Sequence, residues 1–293
     1  MIIIFGTGRS GTTVFMEALF RHSSIAYLSN YQEKFPARTD INYLRILFDN
    51  AVYRIFGKKK QSDNYSNFER LVFKATEGYP IWDYLFGSNH NFSYGFLSGE
   101  KASPKIKNHV INYFSLIRKK QSKKQFALKI TGPGRLTFLD SIFENSKYIY
   151  LERDFIPTLS SFLKSSFWEK DQSKLRWEGP YTEKELHYFN QIKNNRILST
   201  AFQLKKIISV NKSEIRQLGI KLKVIKYEDF VKRPIQIMDE VLQFCELPYD
   251  KECYSYIKNN ELSNRNKEPL EYFDQAVLDK INEIDSFFNS RVL

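Results

Sequence analysis

Short apolar runs alternate with amphipathic stretches along much of this chain. Ile2–Phe5 is a fully apolar, largely β-branched run of the kind that forms a buried strand in a parallel sheet. Gly6–Gly11 breaks this pattern, and Thr12–Arg21 resumes at helical spacing, with its apolar side chains on one side. The chain is therefore predicted to open with a strand, a glycine-rich turn and a helix.

The same alternation governs the second half of the chain. Strands are predicted at the apolar runs Phe126–Ile130, Tyr148–Leu151 and Leu222–Tyr227. Helices are predicted at 135–145, 157–170, 183–210, 234–244 and 270–288. Strands that alternate with helices indicate an α/β fold with three layers, in which helices flank a central parallel sheet and ligands bind at the carboxyl ends of the strands.

The segment at about 35–125 does not follow this alternation. A short strand is predicted just before it at Ile25–Ser29, and helical pieces are predicted within it at 41–56 and 105–120. Polar, aromatic loops separate the two helical pieces, and neither an internal repeat nor a low-complexity linker marks a boundary. We expect a single domain over 1–293, with a mostly helical insertion at 35–125 that shapes a binding pocket.

Composition restricts the class of protein. Hydrophobic residues make up 42% of the 293 residues and aromatic residues 16%, which supplies a sizeable core and excludes a disordered chain. Lys and Arg number 45 against 33 Asp and Glu, a formal charge of +12. This balance favours anionic partners, among them nucleic acid, an anionic membrane surface and ligands that carry phosphate or sulfate.

The two cysteines and the N-terminus indicate a compartment. Cys245 and Cys253 match no metal-ligand spacing, and Cys245 lies in an apolar helical stretch that favours a buried thiol. Such cysteine usage is typical of a reducing compartment. The N-terminal apolar run is too short for a secretory signal, and no segment has the length of a membrane helix. We therefore expect a cytoplasmic protein without a transmembrane segment.

The string GTGRSGTT, at Gly6–Thr13, follows a predicted strand and begins a predicted helix. Backbone N–H groups at a helix start favour anions, and glycines let the backbone wrap closely around them. Nucleotide triphosphatases of the P-loop type place a Lys directly after the second glycine, where this chain has Thr12. The cation lies inside the loop instead, at Arg9, which weighs against ATP hydrolysis and favours a group carried on a single 5′-phosphate. A tight turn without a ligand is the alternative.

The Gly6–Thr13 loop resembles the 5′-phosphosulfate loop of sulfotransferases that use 3′-phosphoadenylyl sulfate (PAPS), above all the carbohydrate and bacterial types, which carry Arg in this loop. A second stretch, Lys147–Ser161, supports the resemblance. Family members hold the 3′-phosphate with an Arg at a strand end and a Ser eight residues later, and Arg153 and Ser161 have that separation. An Arg–Asp pair at a strand end can also be a structural salt bridge.

The resemblance covers residues 1–30 and 126–250 and implies a P-loop-type fold, PAPS as donor and adenosine 3′,5′-bisphosphate (PAP) as product. Neither motif implies a metal ion. Tyr227 begins a YEDF segment that lies against the adenine in the family, although the ring can equally pack in the core. The residues predicted to bind the donor are Gly8, Arg9, Ser10, Gly11, Thr12, Thr13, Arg153, Ser161 and Tyr227.

Sulfuryl transfer requires cations and N–H donors on the leaving side and a proton acceptor for the attacking hydroxyl. Cytosolic family members place a His two residues after a Lys that corresponds to Lys129, but this chain has Thr131 there. The carbohydrate, bacterial and tyrosyl-protein types use a Glu downstream of the loop arginine, at a separation that Glu33 matches. Arg9 and Glu33 are therefore the predicted catalytic residues. An exposed loop carboxylate is the alternative for Glu33, and His22 is the weaker candidate base.

The arginine-type loop and Glu33 favour a carbohydrate hydroxyl as acceptor. The predicted partners are the nucleotide donor and a saccharide or glycolipid acceptor, without nucleic acid. One alternative is a P-loop kinase that acts on a small molecule with ATP, which shares the fold but requires a GK[ST] loop. The other is a non-enzymatic protein that binds polyanions, which has no need of a strand–loop–helix anion site.

Overall fold

Within the part of the chain that the structure describes, five parallel strands form a central sheet in the order β2-β3-β1-β4-β5. The computed structural model describes residues 1–49, 73–168, 173–260, 262, 264–266 and 273–289. The strands are β1 (Ile2–Gly6), β2 (Ile25–Ala26), β3 (Gln125–Thr131), β4 (Lys147–Glu152) and β5 (Lys221–Lys226).

The central position of β1 follows from its sequence, since the whole strand is buried and needs helices on both faces. In the parallel register, Gly6 at its carboxyl end pairs with Thr131 of β3 and Leu151 of β4. The carboxyl ends of these three strands therefore meet at one edge of the sheet, which is where a ligand site is expected in such folds.

The helices within the described ranges flank the sheet and extend beyond it. They are α1 (Thr12–Leu19), α2 (Asn30–Lys34), α3 (Leu44–Phe48), α4 (Tyr79–Phe86), α5 (Pro104–Lys120), α6 (Leu136–Ile142), α7 (Phe155–Leu163), α8 (Glu183–Ile192), α9 (Arg196–Leu218), α10 (Tyr227–Lys232), α11 (Pro234–Cys245), α12 (Lys251–Asn259) and α13 (Gln275–Asn289). Short 3₁₀ helices lie at Thr39–Tyr43 and Gly87–Asn89.

Apolar clusters cover both faces of the sheet. On one face Ile2 and Ile4 pack with side chains of α1, α11 and α12, including the predicted buried thiol of Cys245. On the other face Ile3 and Phe5 pack with side chains of α4, α5 and α6. The α/β class with a parallel sheet between two helical layers is therefore confirmed. Since α4 and α5 come from the segment predicted as an insertion, that segment supplies part of a layer of the fold.

Several predicted boundaries are wrong for identifiable local reasons. The helix predicted at 183–210 is two helices, because the side chain of Asn195 accepts hydrogen bonds from the backbone N–H groups of Ile197 and Leu198 and begins a new helix. The strand predicted at Ile25–Ser29 ends at Ala26, since Ser29 caps α2. The helix predicted at 157–170 ends at Leu163, and the helix α12 was not predicted.

In the segment predicted at 41–56, a 3₁₀ helix precedes α3, and the remainder lies outside the described residues. The single-domain assignment stays a prediction. No helix within the described ranges has both the length and the apolarity to cross a membrane.

Candidate active site

The Gly6–Thr13 loop forms a tight turn between β1 and α1. Arg9 and Gly11 both lie in the left-handed region, with φ of 65° and 83°. The hydroxyl of Ser10 donates a 2.6 Å hydrogen bond to the carbonyl of Thr7 and braces the turn. Helix α1 begins directly after Gly11, so its first N–H groups lie at the turn, as in an anion site.

The second predicted stretch lies against this loop. Arg153 follows the end of β4, next to β1 in the sheet, and its Nη1 donates to the backbone carbonyl of Arg9 over 2.8 Å. Helix α7 follows at once and carries Ser161, whose hydroxyl accepts a 2.9 Å hydrogen bond from Nε of Arg9. The structure thus brings together two motifs that are about 150 residues apart in the sequence. Their roles in donor binding stay predictions.

A third arginine, Arg265, lies beside this pair. Nη2 of Arg153 donates to its carbonyl over 3.1 Å, and Nε of Arg153 donates to the side chain of Asn266 over 2.9 Å. Partial desolvation lowers the pKa of the Arg9 guanidinium, and the charge of Arg265 lowers it further. Desolvation also lowers the pKa of Arg153; Tyr227 and Glu228 raise it in part, and the charges of Arg9 and Arg265 lower it further. Three guanidinium groups in proximity favour an anion between them.

A cavity of about 980 Å³ lies against the loop. Gly8, Arg9, Thr12 and Thr13 form part of its wall, and Glu33 lies in the same wall. Both predicted catalytic residues therefore lie in the wall of one cavity, together with Gly8, Thr12 and Thr13, which are predicted to bind the donor nucleotide. A cavity of this size is typical of a site for a small molecule.

An ion pair between Lys129 of β3 and Glu77 lies in the cavity wall, and Lys129 also contacts the loop. Nζ of Lys129 lies 2.8 Å from Oε1 of Glu77 and donates to the hydroxyl of Thr13 over 3.0 Å. Oε2 of Glu77 accepts hydrogen bonds from the backbone N–H of Thr131 over 2.9 Å and from its hydroxyl over 2.7 Å. Burial raises the pKa of Glu77, but the Lys129 ammonium and the Thr131 hydrogen bonds outweigh it and hold the pKa below its ordinary value.

The pKa of Glu33 is shifted in the opposite direction from that of Glu77. It lies in the short helix α2, is partly buried, and its Oε1 accepts a 2.9 Å hydrogen bond from the backbone N–H of Gly78. Burial raises the pKa of Glu33 and outweighs the hydrogen bonds from Thr76 and Gly78, while the negative charge of Glu77 raises it further. A carboxyl group with a raised pKa in a cavity is a candidate proton acceptor.

The sequence model of the sulfotransferase family matches residues 2–251 of this chain. The chain belongs to the sulfotransferase family. This membership argues against the kinase and polyanion-binding alternatives and makes the protein a transferase.

Solved structures share the fold of this sulfotransferase. Sulfotransferase STF9 from Mycobacterium avium superposes with a TM-score of 0.57 at 16% identity, over 99% of this chain and 75% of that chain. Sulfotransferase STF1 from Mycobacterium tuberculosis H37Rv gives a TM-score of 0.53 at 12% identity, over 97% of this chain and 76% of that chain. At these identities the likeness shows the fold alone. No curated protein matches the sequence significantly.

Tyr227 of the sulfotransferase begins α10 and is 5% exposed. Its ring packs against Gly11, where a Cβ atom would lie 2.3 Å from Cδ2 of the ring, and the guanidinium of Arg153 lies over the ring with Cζ 4.7 Å from its centroid. This cation–π contact supports the orientation of Arg153. Stacking of an adenine on Tyr227 stays a prediction, because the ring as it stands is buried.

His22, the weaker candidate base, is completely buried. Its Nε2 lies 2.9 Å from the carbonyl of Pro248, and its Nδ1 accepts a hydrogen bond from the backbone N–H of Ser24. Both ring nitrogens are thus occupied by backbone groups, so His22 has a structural role.

No signal in the sequence indicates Glu77, which lies in a segment without periodic pattern and reaches Lys129 only through the tertiary fold.

Proposed function

We propose that this sulfotransferase moves the sulfuryl group of PAPS to an acceptor hydroxyl and releases PAP. The observation that carries the proposal is the junction of Arg9, Ser161 and Arg153, in which the loop forms hydrogen bonds of 2.9 Å to Ser161 of α7 and of 2.8 Å to Arg153 after β4. A nucleotide with a group on each end of its ribose needs two anion sites at a fixed separation. The Gly6–Thr13 loop suits the 5′-phosphosulfate, and the β4–α7 turn suits the 3′-phosphate.

Each anion site has the chemistry that its phosphate requires. The N–H groups at the start of α1 and the hydroxyls of Thr12 and Thr13 are donors for the 5′ end. Beyond its hydrogen bonds to the carbonyls of Arg9 and Arg265, Arg153 keeps one N–H on each of Nη1 and Nη2 that can bind the 3′-phosphate, and Ser161 can add a hydroxyl. Arg265 supplies a further positive charge beside them. The proposal needs no metal ion.

The reaction is an in-line displacement at sulfur. The acceptor oxygen forms a new bond to sulfur while the bond from sulfur to the 5′-phosphate oxygen breaks, and that oxygen keeps the electron pair. Arg9 and Lys129 lie where they can stabilise the negative charge that develops on the leaving side. Glu33 takes the proton of the acceptor hydroxyl.

Among the described residues, five carboxylates line the cavity, at Glu17, Glu33, Asp49, Glu77 and Asp83. The opposite surroundings of Glu33 and Glu77 favour Glu33 as the base. Glu77 is bound by the Lys129 ammonium and by two hydrogen bonds from Thr131, and its pKa is lowered, so it is a weak proton acceptor. The pKa of Glu33 is raised, so its carboxylate holds a proton more strongly. Two carboxyl groups with pKa values driven apart are typical of a division of roles in an active site.

The cavity wall supports a saccharide as the acceptor. Tyr94 and Phe167 line the cavity and are 46% and 49% exposed, so each keeps surface that a ligand can contact. Asp83 and Ser93, joined by hydrogen bonds of 3.0 Å, add polar groups to the same wall. Aromatic surfaces with a few polar groups suit a sugar ring, which has apolar faces and hydroxyl edges. The two free, buried cysteines support a cytoplasmic setting.

The test is transfer of ³⁵S from labelled PAPS to a panel of glycans, glycolipids and phenols. We expect label on a saccharide, with one PAP released per sulfuryl group transferred. A parallel reaction with γ-³²P-ATP should leave every acceptor unlabelled. If PAPS is not consumed with any acceptor while ATP is, the proposed function is wrong.

A further inference from the structure

We propose that Glu77 is a positioning residue of the transfer reaction, whose carboxylate holds the ammonium of Lys129 against the Gly6–Thr13 loop, where the sulfuryl group reacts. This inference rests on the proposed function. It assigns to Glu77 a role through Lys129, and no direct contact with the reacting atoms.

The ammonium of Lys129 has three N–H donors. Glu77 and Thr13 accept two of them, at 2.8 and 3.0 Å, and within the described ranges the structure shows no third partner. Lys129 is 6% exposed but lines the cavity beside Arg9. The third donor is therefore available to a group bound in the cavity at the loop.

A lysine has a flexible four-carbon side chain, so its ammonium needs an anchor to act at a fixed point. Glu77 is a suitable anchor because it is itself fixed to the end of β3 by the backbone N–H and the hydroxyl of Thr131. The hydroxyl of Tyr79 lies 3.0 Å from Oε2 of Glu77 and 2.6 Å from the carbonyl of Thr131, so it braces the same junction. Since β3 is adjacent to β1, this junction is rigidly placed relative to the loop.

The same segment also orients the candidate base. The backbone N–H of Gly78, the residue after Glu77, donates to Oε1 of Glu33 over 2.9 Å. One stretch of chain thus contacts both groups, Lys129 through the Glu77 side chain and Glu33 through the Gly78 backbone. Placement of reacting groups in this way accounts for a large share of catalysis, and a misplacement of about 1 Å can cost about 10²-fold in rate.

Stability alone is a weak explanation for this ion pair. A buried ion pair often contributes less than well-packed apolar side chains of similar size, because both charges lose their hydration. The chain contains a matched pair away from the cavity wall, in which Lys206 lies 2.9 Å from Glu185 and both side chains are less than 10% exposed. That pair provides a control for what the loss of a buried ion pair does to the fold alone.

The experiment compares the wild-type protein with Glu77→Gln, Lys129→Met, the double variant and Glu185→Gln. Turnover is measured as PAP released from PAPS in the presence of the glycan panel, and donor-site affinity as the Kd of PAP by calorimetry. We expect Glu77→Gln to lower kcat by about 10–100-fold with the KM for PAPS nearly unchanged, and to weaken PAP binding, because the leaving oxygen carries its full charge in PAP but not in bound PAPS. Glu185→Gln should lower Tm and leave kcat unchanged.

The double variant decides whether Glu77 acts through Lys129. If it does, the double variant is no slower than Lys129→Met alone, since both substitutions remove the same interaction. Losses that multiply, or a wild-type kcat in Glu77→Gln, would overturn the proposal.

A second variant covers the case in which Glu77→Gln does not fold. Thr131→Val removes one hydrogen bond to Glu77 and leaves the carboxylate in place, and we expect a smaller loss in kcat with the same KM for PAPS. An unchanged kcat in Thr131→Val, together with an unchanged kcat in Lys129→Met, would overturn the proposal in that case. A failure of the proposed function is visible in the wild type itself, whereas a failure of this inference appears only in the ratio of variant to wild type.

Discussion

Nε of Arg9 lies 2.9 Å from the hydroxyl of Ser161, although 152 residues separate them in the chain. The contact exists because β4 lies beside β1, so the turn that follows β4 returns helix α7 to the loop that follows β1. An arginine with positive φ carries this contact, which is an uncommon backbone conformation for a residue with a side chain. Strained backbone of this kind concentrates at functional sites.

Arg9→Ala should lower turnover by about 10²–10³-fold, because it removes a principal donor to the charge that develops on the leaving oxygen. The measurement is steady-state transfer from labelled PAPS. Arg216→Ala, at an exposed position in the last turn of α9, is the matched loss of a positive charge and should leave turnover unchanged. Equal turnover in Arg9→Ala and wild type would remove Arg9 from the mechanism.

Arg153→Ala should weaken PAP binding by about 10–100-fold, as expected for the loss of charge-assisted hydrogen bonds to a phosphate. Ser161→Ala should have a smaller effect of about 2–10-fold, since it removes one neutral donor. The Kd of PAP, measured by calorimetry for each variant and for wild type, gives both fold-changes.

The matched ligand for these variants is adenosine 5′-phosphosulfate, which has the 5′ group of PAPS and lacks the 3′-phosphate. Its affinity should be nearly the same for wild type, Arg153→Ala and Ser161→Ala. If both ligands lose affinity equally in Arg153→Ala, the residue does not bind the 3′-phosphate.

Glu33→Gln should lower turnover by about 10²–10⁴-fold, as expected for the loss of a general base. Glu33 accepts a proton only when it is ionised, and its pKa lies above the ordinary value because of burial. In the wild type kcat/KM should therefore rise with pH through this raised pKa and then level off, and the variant should lack this limb. A pH–rate profile measures both; an unchanged profile in the variant would dismiss Glu33 as the base.

The same raised pKa makes a prediction about stability. The folded protein holds the Glu33 proton more tightly than the unfolded chain, so the stabilising effect is present at low pH and is lost as pH rises through the folded pKa. Above the folded pKa the buried, ionised Glu33 is destabilising. Glu33→Gln should therefore have a higher Tm than wild type at a pH above the folded pKa, and a lower Tm there would argue that this carboxylate serves the fold.

Gly11→Ala should weaken PAP binding by about tenfold or more, since a Cβ would lie 2.3 Å from the Tyr227 ring and the φ of 83° adds strain of about 1–2 kcal/mol. Gly219→Ala carries a similar backbone strain at a φ of 57° with no atom within 4 Å of the new Cβ. The control should lower Tm without a change in the Kd of PAP. Wild-type affinity in Gly11→Ala would show that the contact between the loop and Tyr227 is not needed for binding.

Some elements were predictable because local sequence fixes them. The helix predicted at 105–120 is α5, which begins at Pro104 after the capping side chain of Ser103, and the helix predicted at 234–244 is α11, which begins at Pro234. The Gly6–Thr13 loop was also readable, since its glycines interrupt a sharp change from strand to helix pattern.

Other features depend on contacts that a linear pattern does not contain. The helical pattern continues across Asn195, and only the capping hydrogen bonds of its side chain separate α8 from α9. Glu77 lies in a short non-periodic stretch and gains its meaning from Lys129 and Thr131 on β3. Arg265 comes from a segment with no strong pattern, and its position beside Arg153 is a product of the tertiary fold.

A calorimetric comparison of PAP with ADP on the wild-type protein is the most direct test of whether two separate stretches of backbone bind both ends of one nucleotide. If Arg153 and Ser161 hold a 3′-phosphate beside the loop, PAP binds at least about tenfold more tightly than ADP, the equivalent of about 1.4 kcal/mol. Equal affinity for the two nucleotides, or a preference for ADP, would contradict this arrangement.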